Sequence, residues 1–599
     1  MSKSFNYIFL LFFLFAGNLS FGQKSEVKSP TRSDNSLSET EIHQLNTTYQ
    51  PQIGRSNLTI PDKLIKMEPG KSVLDSRGTE FWLMFARNYD GADFLFLDIT
   101  SVENATGTVT ISGLGFSENF TVAANTVTRV NIPTSSTVFP SGLVENRGIK
   151  VTSDKEITVY GMSQRGASTD GFLGLPVDIL GNQYLVVTYP ILTWGGFFPS
   201  ESNAPQFSIV SPYDNNVVTI TPRDQTVNGR PAGVPFSVTL NQGQTYLVRG
   251  RMSNAYSADQ TGSFISSTLP VAVFSGSSCA SIPQNIPACD HLVEQIPPIS
   301  TWGQTFVTRP LETRTGGDTW RFLASQNNTE LVINGVNVAT LNFGDFYETM
   351  LSARSFVEAS NPILAVQFSN SSDWDGVVSD PFMMVIPPYQ QYLDSYSFST
   401  PASGFVGNYF TSAVDDDGVD GMELNGAPLN PASFTTIGAT GFSAAAFPIS
   451  INTSYNISNS EAYPSGLYVY GFGDYDSYGF PGGLSLISIN PGSGPVVELT
   501  EATIELFCTS ISTSVAIDIS ALITDEDEPF VQSATLLWRK VGDATYQTVN
   551  MIEGLNDSWS ASIIASATEF PDSSFIFWLP TGRFQQQVLL LIRPIIHIR

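Results

Sequence analysis

Ile149-Lys-Val-Thr-Ser-Asp-Lys-Glu-Ile157-Thr-Val-Tyr160-Gly161 is one of four related segments whose reading decides the fold. The others are Phe264-Ile-Ser-Ser-Thr-Leu-Pro270-Val-Ala-Val-Phe274-Ser-Gly276, Phe356-Val-Glu-Ala-Ser-Asn-Pro362-Ile-Leu-Ala-Val-Gln-Phe368 and Tyr455-Asn-Ile-Ser-Asn-Ser-Glu-Ala-Tyr-Pro464-Ser-Gly-Leu467-Tyr-Val-Tyr470-Gly471. Each alternates apolar with polar residues, is rich in β-branched side chains and is interrupted by a polar or proline-bearing stretch. Each therefore predicts a strand, a turn and a second strand ending near an aromatic residue. The spacing of the copies is a repeat of roughly 100 residues.

Outward from each segment the likeness continues. An aspartate and then a proline follow every copy: Asp170 with Pro176, Asp290 with Pro297, Asp380 with Pro387, Asp476 with Pro481. Three copies run on into an aromatic strand, at Tyr184, Phe306 and Tyr396. Upstream, Phe207-Ser-Ile-Val before Val217-Val-Thr-Ile-Thr, and Trp320-Arg-Phe-Leu-Ala before Glu330-Leu-Val-Ile-Asn, read as hairpins. The fold class is all-β: tandem β-sandwich-like units, about four related repeats over 76–491, since six or seven strands suit a small two-sheet sandwich. A four-stranded propeller blade is usually about half this length.

Composition agrees with this. The chain has 599 residues, 48 Gly and 36 Pro but only 14% charged residues, which favours short strands with tight turns over long amphipathic helices. A formal net charge of -27 argues against nucleic acid and against an anionic membrane surface, both of which call for Lys and Arg. Met1-Ser-Lys3, an apolar run from Tyr7 to Ala16 and Ser20-Phe21-Gly22 read as a secretory signal over 1–22, too short to span a membrane. No later run is long enough for a transmembrane anchor, so the expected location is secreted or cell surface. Residues 23–75 are polar and aperiodic and are expected to be a disordered linker, with His43 solvated inside it.

Cys279 and Cys289 lie in a Ser- and Pro-rich stretch of an exported chain and are expected to form a local disulfide. Zinc is the weaker reading, because only His291 is near to complete a site that wants about four ligands. The pair would pin a long excursion in the unit that carries it.

Three motifs in order, Gly78-Thr-Glu-Phe-Trp82, the stretch from Cys279 to Gly303, and Tyr468-Val-Tyr-Gly471-Phe-Gly-Asp-Tyr-Asp476-Ser-Tyr478-Gly-Phe-Pro481, resemble the N-terminal domain of the IgGFc-binding protein family. In animals that domain belongs to a mucin-associated secreted protein, and it also resembles bacterial copies on exported multi-domain surface proteins. The likeness covers residues 76–491 and implies a binding role, with immunoglobulin Fc as one candidate partner.

Residues 492–578 follow a Gly/Pro linker, with strands about ten residues apart around Trp538, and resemble an immunoglobulin or fibronectin type III-like sandwich. Asp525-Glu-Asp-Glu528 reads as a solvated acidic loop and Cys508 as a buried small residue. The tail 579–599 has no acidic residue, does not look like a closing strand, and is expected to be out of frame.

Chemistry is sparse. A nucleophilic triad would have to use His291 beside an oxidised cysteine, and no Gly-x-Ser-x-Gly, His-Glu-x-x-His or phosphate-loop motif occurs. Asp415-Asp-Asp417-Gly-Val-Asp420-Gly421 places alternate oxygens as a Ca²⁺ loop does, so Asp415, Asp417 and Asp420 are the metal candidates; a tight acidic turn accounts for the same letters. Otherwise no cofactor is expected. Tyr475 and Tyr478 lie among Gly and Asp and are the candidate binding residues, whereas Tyr468 and Tyr470 read as core. The expectation is a non-enzymatic binding or adhesion protein that contacts an extracellular glycoprotein or polysaccharide through tandem β modules. The alternatives are an accessory region of a surface glycan-degrading enzyme, or a stalk.

Overall fold

The computed structural model describes residues 49–56, 58, 75–191, 204–253, 256–284, 286–401, 403–485 and, beyond these, the strands between 496 and 592. Within them the chain is β, and its only helical turns are short 3-10 segments. The signal at 1–22, His43, Cys508 and the acidic loop Asp525–Glu528 lie outside the described residues.

Four units succeed one another from Gly78 to Pro481, and each is organised on one long strand. In the first three this strand is continuous: Ile149–Arg165 and Phe264–Ala280 with 17 residues each, and Ser355–Phe368 with 14. The expected turn in the middle is absent; the strand leaves one sheet and enters the other. Pro270 and Pro362 sit at this crossing, where a missing N–H breaks no ladder hydrogen bond. Only the fourth unit has a true turn, between Ser454–Asn459 and Ser465–Gly473, with Ala462 at φ 60°.

In the second unit the first half of the long strand pairs with Gly181–Leu185 and Asn216–Thr221, the second half with Pro205–Val210 and Asp290–Gln295. The first and third units repeat this pairing. Hence Phe207 and Val217 belong to opposite sheets, not to one hairpin, and the same holds for Trp320 and Glu330. Sharing a strand joins each sandwich into one sheet of 7, 8 and 8 strands, whereas the fourth unit separates into sheets of 4 and 5.

The first strand of each of the first three units changes register just after a glycine, at Gly78, Gly181 and Gly303. A Cβ there would stand 2.3 Å, 2.5 Å and 2.4 Å from the Cβ of Pro176, Pro298 and Pro388. The floor on which each of these first strands bulges is thus Pro176 in the first unit and, in the second and third, the proline one residue past Pro297 and Pro387. In the second unit the hydroxyl of Tyr184, three residues on, ties the bulge, donating to Val271 O and accepting from Gly181 N; in the fourth, Tyr396 donates to Ser465 O and accepts from Leu393 N.

The units close into a ring. Their last strands, Ser168–Leu173, Asp290–Gln295, Met383–Ile386 and Asp476–Pro481, pack side by side, and the fourth returns to the first. Ser76 N donates to Leu484 O at 2.8 Å beside the Asp75–Ser485 bridge, which latches the two ends. The apolar core follows suit: one cluster joins Phe81, Leu97 and Phe172 of the first unit to Phe410, Tyr478 and Phe480 of the fourth. Each such side chain adds about 1.5–3 kcal/mol on burial.

Two expectations need correction. Within 23–75, Gln52–Gly54 is a strand on the edge of the third unit, because its backbone groups find partners there. In the tail, Leu590–Ile592 pairs with Phe575–Trp578. The segment after 491 holds two antiparallel 4-stranded sheets.

Candidate functional site

The recurring aspartates meet where the last strands of the ring converge, and Asp170, Asp290, Asp380 and Asp476 are all buried. Asp170 is the hub. Its Oδ1 accepts from Gly171 N at 2.8 Å and Gly479 N at 3.4 Å, its Oδ2 from Val293 N at 3.0 Å and Met383 N at 3.2 Å. One carboxyl therefore binds a backbone N–H from every other unit. Burial pushes it well above the usual carboxylate range against the pull of these donors. Asp290, Asp380 and Asp476 share a second patch in which burial first, and then mutual repulsion for Asp290 and Asp380, raises the carboxyls; Asp476 is pushed up to about 7 by burial. Asp290 Oδ2 and Asp380 Oδ1 have no hydrogen-bond partner. The centre is a hub of buried carboxyls closed to solvent.

A second polar cluster lies between the second and third units and is open. It borders a cavity of about 810 Å³. One wall is Pro283, Gln284 and Ile286 from the excursion that the Cys279–Cys289 disulfide closes. The others are Tyr189, Arg223 and Asp259 of the second unit, Arg321, Phe346 and Glu348 of the third, and Tyr49 to Arg55 of the N-terminal strand.

Arg321 organises this cleft. Its Nε donates to Glu348 Oε2 at 2.8 Å, and its Nη1 lies 2.9 Å from Asp259 Oδ2 and donates to Thr188 O at 2.7 Å. The guanidinium also stacks 4.4 Å from the Tyr189 ring and 4.2 Å from Phe346. Burial opposes its charge, but Asp259 and Glu348 outweigh burial and hold its pKa above the ordinary value. For Asp259, burial pushes up while Arg321 and then Arg223 prevail and bring the carboxyl below its ordinary value. These charges persist across the physiological range, so the cleft presents fixed ions, a cation-π stack and an open volume, features that suit selective binding.

The predicted residues divide. Cys279 and Cys289 are bonded, and their loop lines the cleft. Asp415, Asp417 and Asp420 do not converge: the 3-10 turn Asp416–Gly421 spreads them, Asp415 accepts from Tyr389 Oη at 3.1 Å, and the other two face solvent. Among the described residues no three His, Cys, Asp or Glu side chains gather to hold a metal ion. Tyr478 is wholly buried rather than a surface contact; it packs on Phe405 and Phe480 and donates to Asn408 Oδ1 at 2.8 Å. Its strand is the fourth member of the central ring, which is why its side chain is enclosed. Tyr475 is half-buried at the turn before it, in the left-handed region at φ 53°. Tyr468 and Tyr470 are core. Sequence reasoning missed Arg321, Glu348, Asp259 and Tyr49: Arg321 and Glu348 are 27 residues apart on paired strands, Asp259 belongs to the preceding unit, and Tyr49 lies 299 residues from Glu348.

The family model described as IgGFc binding protein matches residues 170–471, from the hub aspartate of the first unit through most of the fourth. A human protein, IgGFc-binding protein from Homo sapiens, is 29% identical over 330 residues, which are 53% of this chain and 6% of that protein. The present chain thus spans a small part of that relative's length. Among solved structures, the FN1–FN3 domains of chicken CNTN1 align at 11% identity over 49% of this chain and 99% of that one, with a TM-score of 0.13.

Proposed function

This chain belongs to the IgGFc-binding protein family, and from that membership we propose that it is an extracellular binding protein whose working surface is the cleft between the second and third units. The partner class is a glycoprotein, with immunoglobulin Fc the first to test because the human relative is named for it. One observation carries the choice of site: the disulfide-closed loop, a buried Arg321 held by two carboxylates, and an open cavity of about 810 Å³ meet at one place. The family-matched segment contains every residue of the cleft except the N-terminal strand. The role is binding, not catalysis. His291, which a nucleophilic triad would need, is buried with Nδ1 on the carbonyl of Ser277 at 3.0 Å, and burial lowers it to about 4. Surface plasmon resonance of the full chain against Fc, intact immunoglobulin, mucin and a polysaccharide panel, with and without calcium, tests the proposal. Saturable binding that Arg223→Glu abolishes is expected. Binding that survives this change puts the site elsewhere, and exclusive binding to protein-free polysaccharide replaces the partner class.

A further inference from the structure

The N-terminal strand lies in the cleft as a ligand would. Gln52–Gly54 pairs antiparallel with the edge of the third unit, Gln52 opposite Glu348, Ile53 opposite Tyr347 and Gly54 opposite Phe346. Without it, the edge Phe346–Leu351 would expose a row of backbone donors and acceptors. Only some side chains of the strand are read. Tyr49 donates to Glu348 Oε1 at 2.8 Å and meets the Trp374 ring edge-on at 6.4 Å. Gly54 lies flat on Phe346, where a Cβ would fall 2.2 Å from the ring. Arg55 Nη1 stands 2.8 Å from Asp345 Oδ2, Ser56 N bonds Oδ1 of the same carboxylate, and Arg223 Nη2 holds Arg55 O at 3.0 Å. Leu58 packs against the core of the second and third units. Between these anchors Gln50, Pro51, Gln52 and Ile53 are exposed.

Backbone pairing along an edge with side-chain selection at intervals is how sheets recognise extended peptides. We propose that this edge is a peptide-binding groove, that residues 49–56 and Leu58 are its resident occupant, and that a partner protein enters by replacing them. The replacing segment is extended and carries a tyrosine, a glycine five residues on, a cation next to it and an apolar residue three further. Asp345 and Glu348 select the cation and the phenol, and Phe346 excludes any residue with a Cβ at the glycine position. This rests on the cleft being the working surface, and it names what that surface reads.

The probe is a fluorescent peptide of residues 49–58, titrated by anisotropy against the full chain and against the full chain carrying Tyr49→Ala and Gly54→Val, which evict the occupant. The evicted protein is expected to bind the peptide at least roughly tenfold more tightly than the wild type, whose own strand competes. A peptide with Gly54→Val, or a scrambled one, should lose roughly tenfold or more. Equal affinity for wild type and evicted protein, or for scrambled peptide, overturns the proposal. Should the double variant fail to fold, a protease site placed within 59–74 of the wild type frees the strand, and exchange with excess labelled peptide is then expected; no exchange also overturns it. The Fc assay run beside it separates the two readings: peptide binding without Fc binding removes only that partner, and Fc binding untouched by saturating peptide removes only the groove.

Discussion

The centre of the ring and the cleft beside it are both built from buried carboxylates, and they solve the same problem in opposite ways. In the centre, Asp170 is met by backbone N–H groups of the other three units, and Asp290, Asp380 and Asp476 by one another. No arginine neutralises Asp170; backbone N–H groups take that place, and burial raises the carboxyl against them. In the cleft, Asp259 and Glu348 are met by the guanidinium of Arg321 instead. The first arrangement suits assembly, since a carboxyl accepts from several strands at once. The second suits recognition, since its charges stay in place and stand beside an open cavity.

The sharpest test breaks each cluster in turn. Arg321→Met strands two carboxylates in the cleft, and a loss of about 3–5 kcal/mol in unfolding by denaturant is expected. Asp170→Ala leaves backbone donors from four strands unpaired and should cost about as much, with loss of the whole ring rather than of one unit. If Asp170→Ala leaves a single transition at the wild-type midpoint, the hub does not hold the units together. Opening the disulfide with Cys279→Ser and Cys289→Ser should cost about 3 kcal/mol, the chain entropy of a short loop, and should weaken ligand binding at the cleft without changing the pH response of the centre.

That pH response is the next effect. Burial raises Asp476 of the centre to about 7 and, outside it, also Asp318 of the third unit, whose Oδ2 accepts from Leu311 N at 2.8 Å, both above an unfolded value near 4. A carboxyl raised in the folded state keeps its proton there and loses it in the unfolded chain. Stability is therefore full below pH ~4 and falls as pH rises through ~7, by about 1.4 kcal/mol per pH unit for each group. The melting temperature should decline from pH 5 to 8, and Asp318→Asn should flatten the decline. A melting temperature that rises with pH would mean the centre is charged. Smallest is Tyr478→Phe, which removes only the hydroxyl from Asn408 and should cost about 1 kcal/mol with no effect on binding, because the ring encloses it.

Some of this was legible from the letters. The recurring aspartate was visible four times and marks the central patch, but its meaning depends on strands from different units meeting. Of the prolines paired with it only Pro176 is a floor; Pro298 and Pro388, next to Pro297 and Pro387, serve in the next two units. The middle of each long segment read as a turn because Pro and polar residues usually make one; the fourth unit has that turn, but in the first three a strand passes between two sheets and those residues need no ladder partner. Tyr478 read as a surface residue because Gly and Asp surround it, while the fourth strand of the centre buries it. Gln52–Gly54 and its neighbours read as part of a linker because they have no apolar period of their own, and the edge of the third unit supplies the pairing. Asp415, Asp417 and Asp420 carried the right atoms for an ion, but a 3-10 turn carries successive side chains apart.

Sequence alone determined that the chain is all-β, repeats a two-sheet unit four times and joins Cys279 to Cys289, because alternation, punctuation and cysteine spacing act over a few residues. Tertiary structure decided that the four units close on one another, that their aspartates share a dry centre, and that Arg321, Glu348, Asp259 and Tyr49 become one site. Those outcomes arise where separate units pack, and the attraction of a cation for a carboxylate a unit away leaves no pattern in either neighbourhood of the chain.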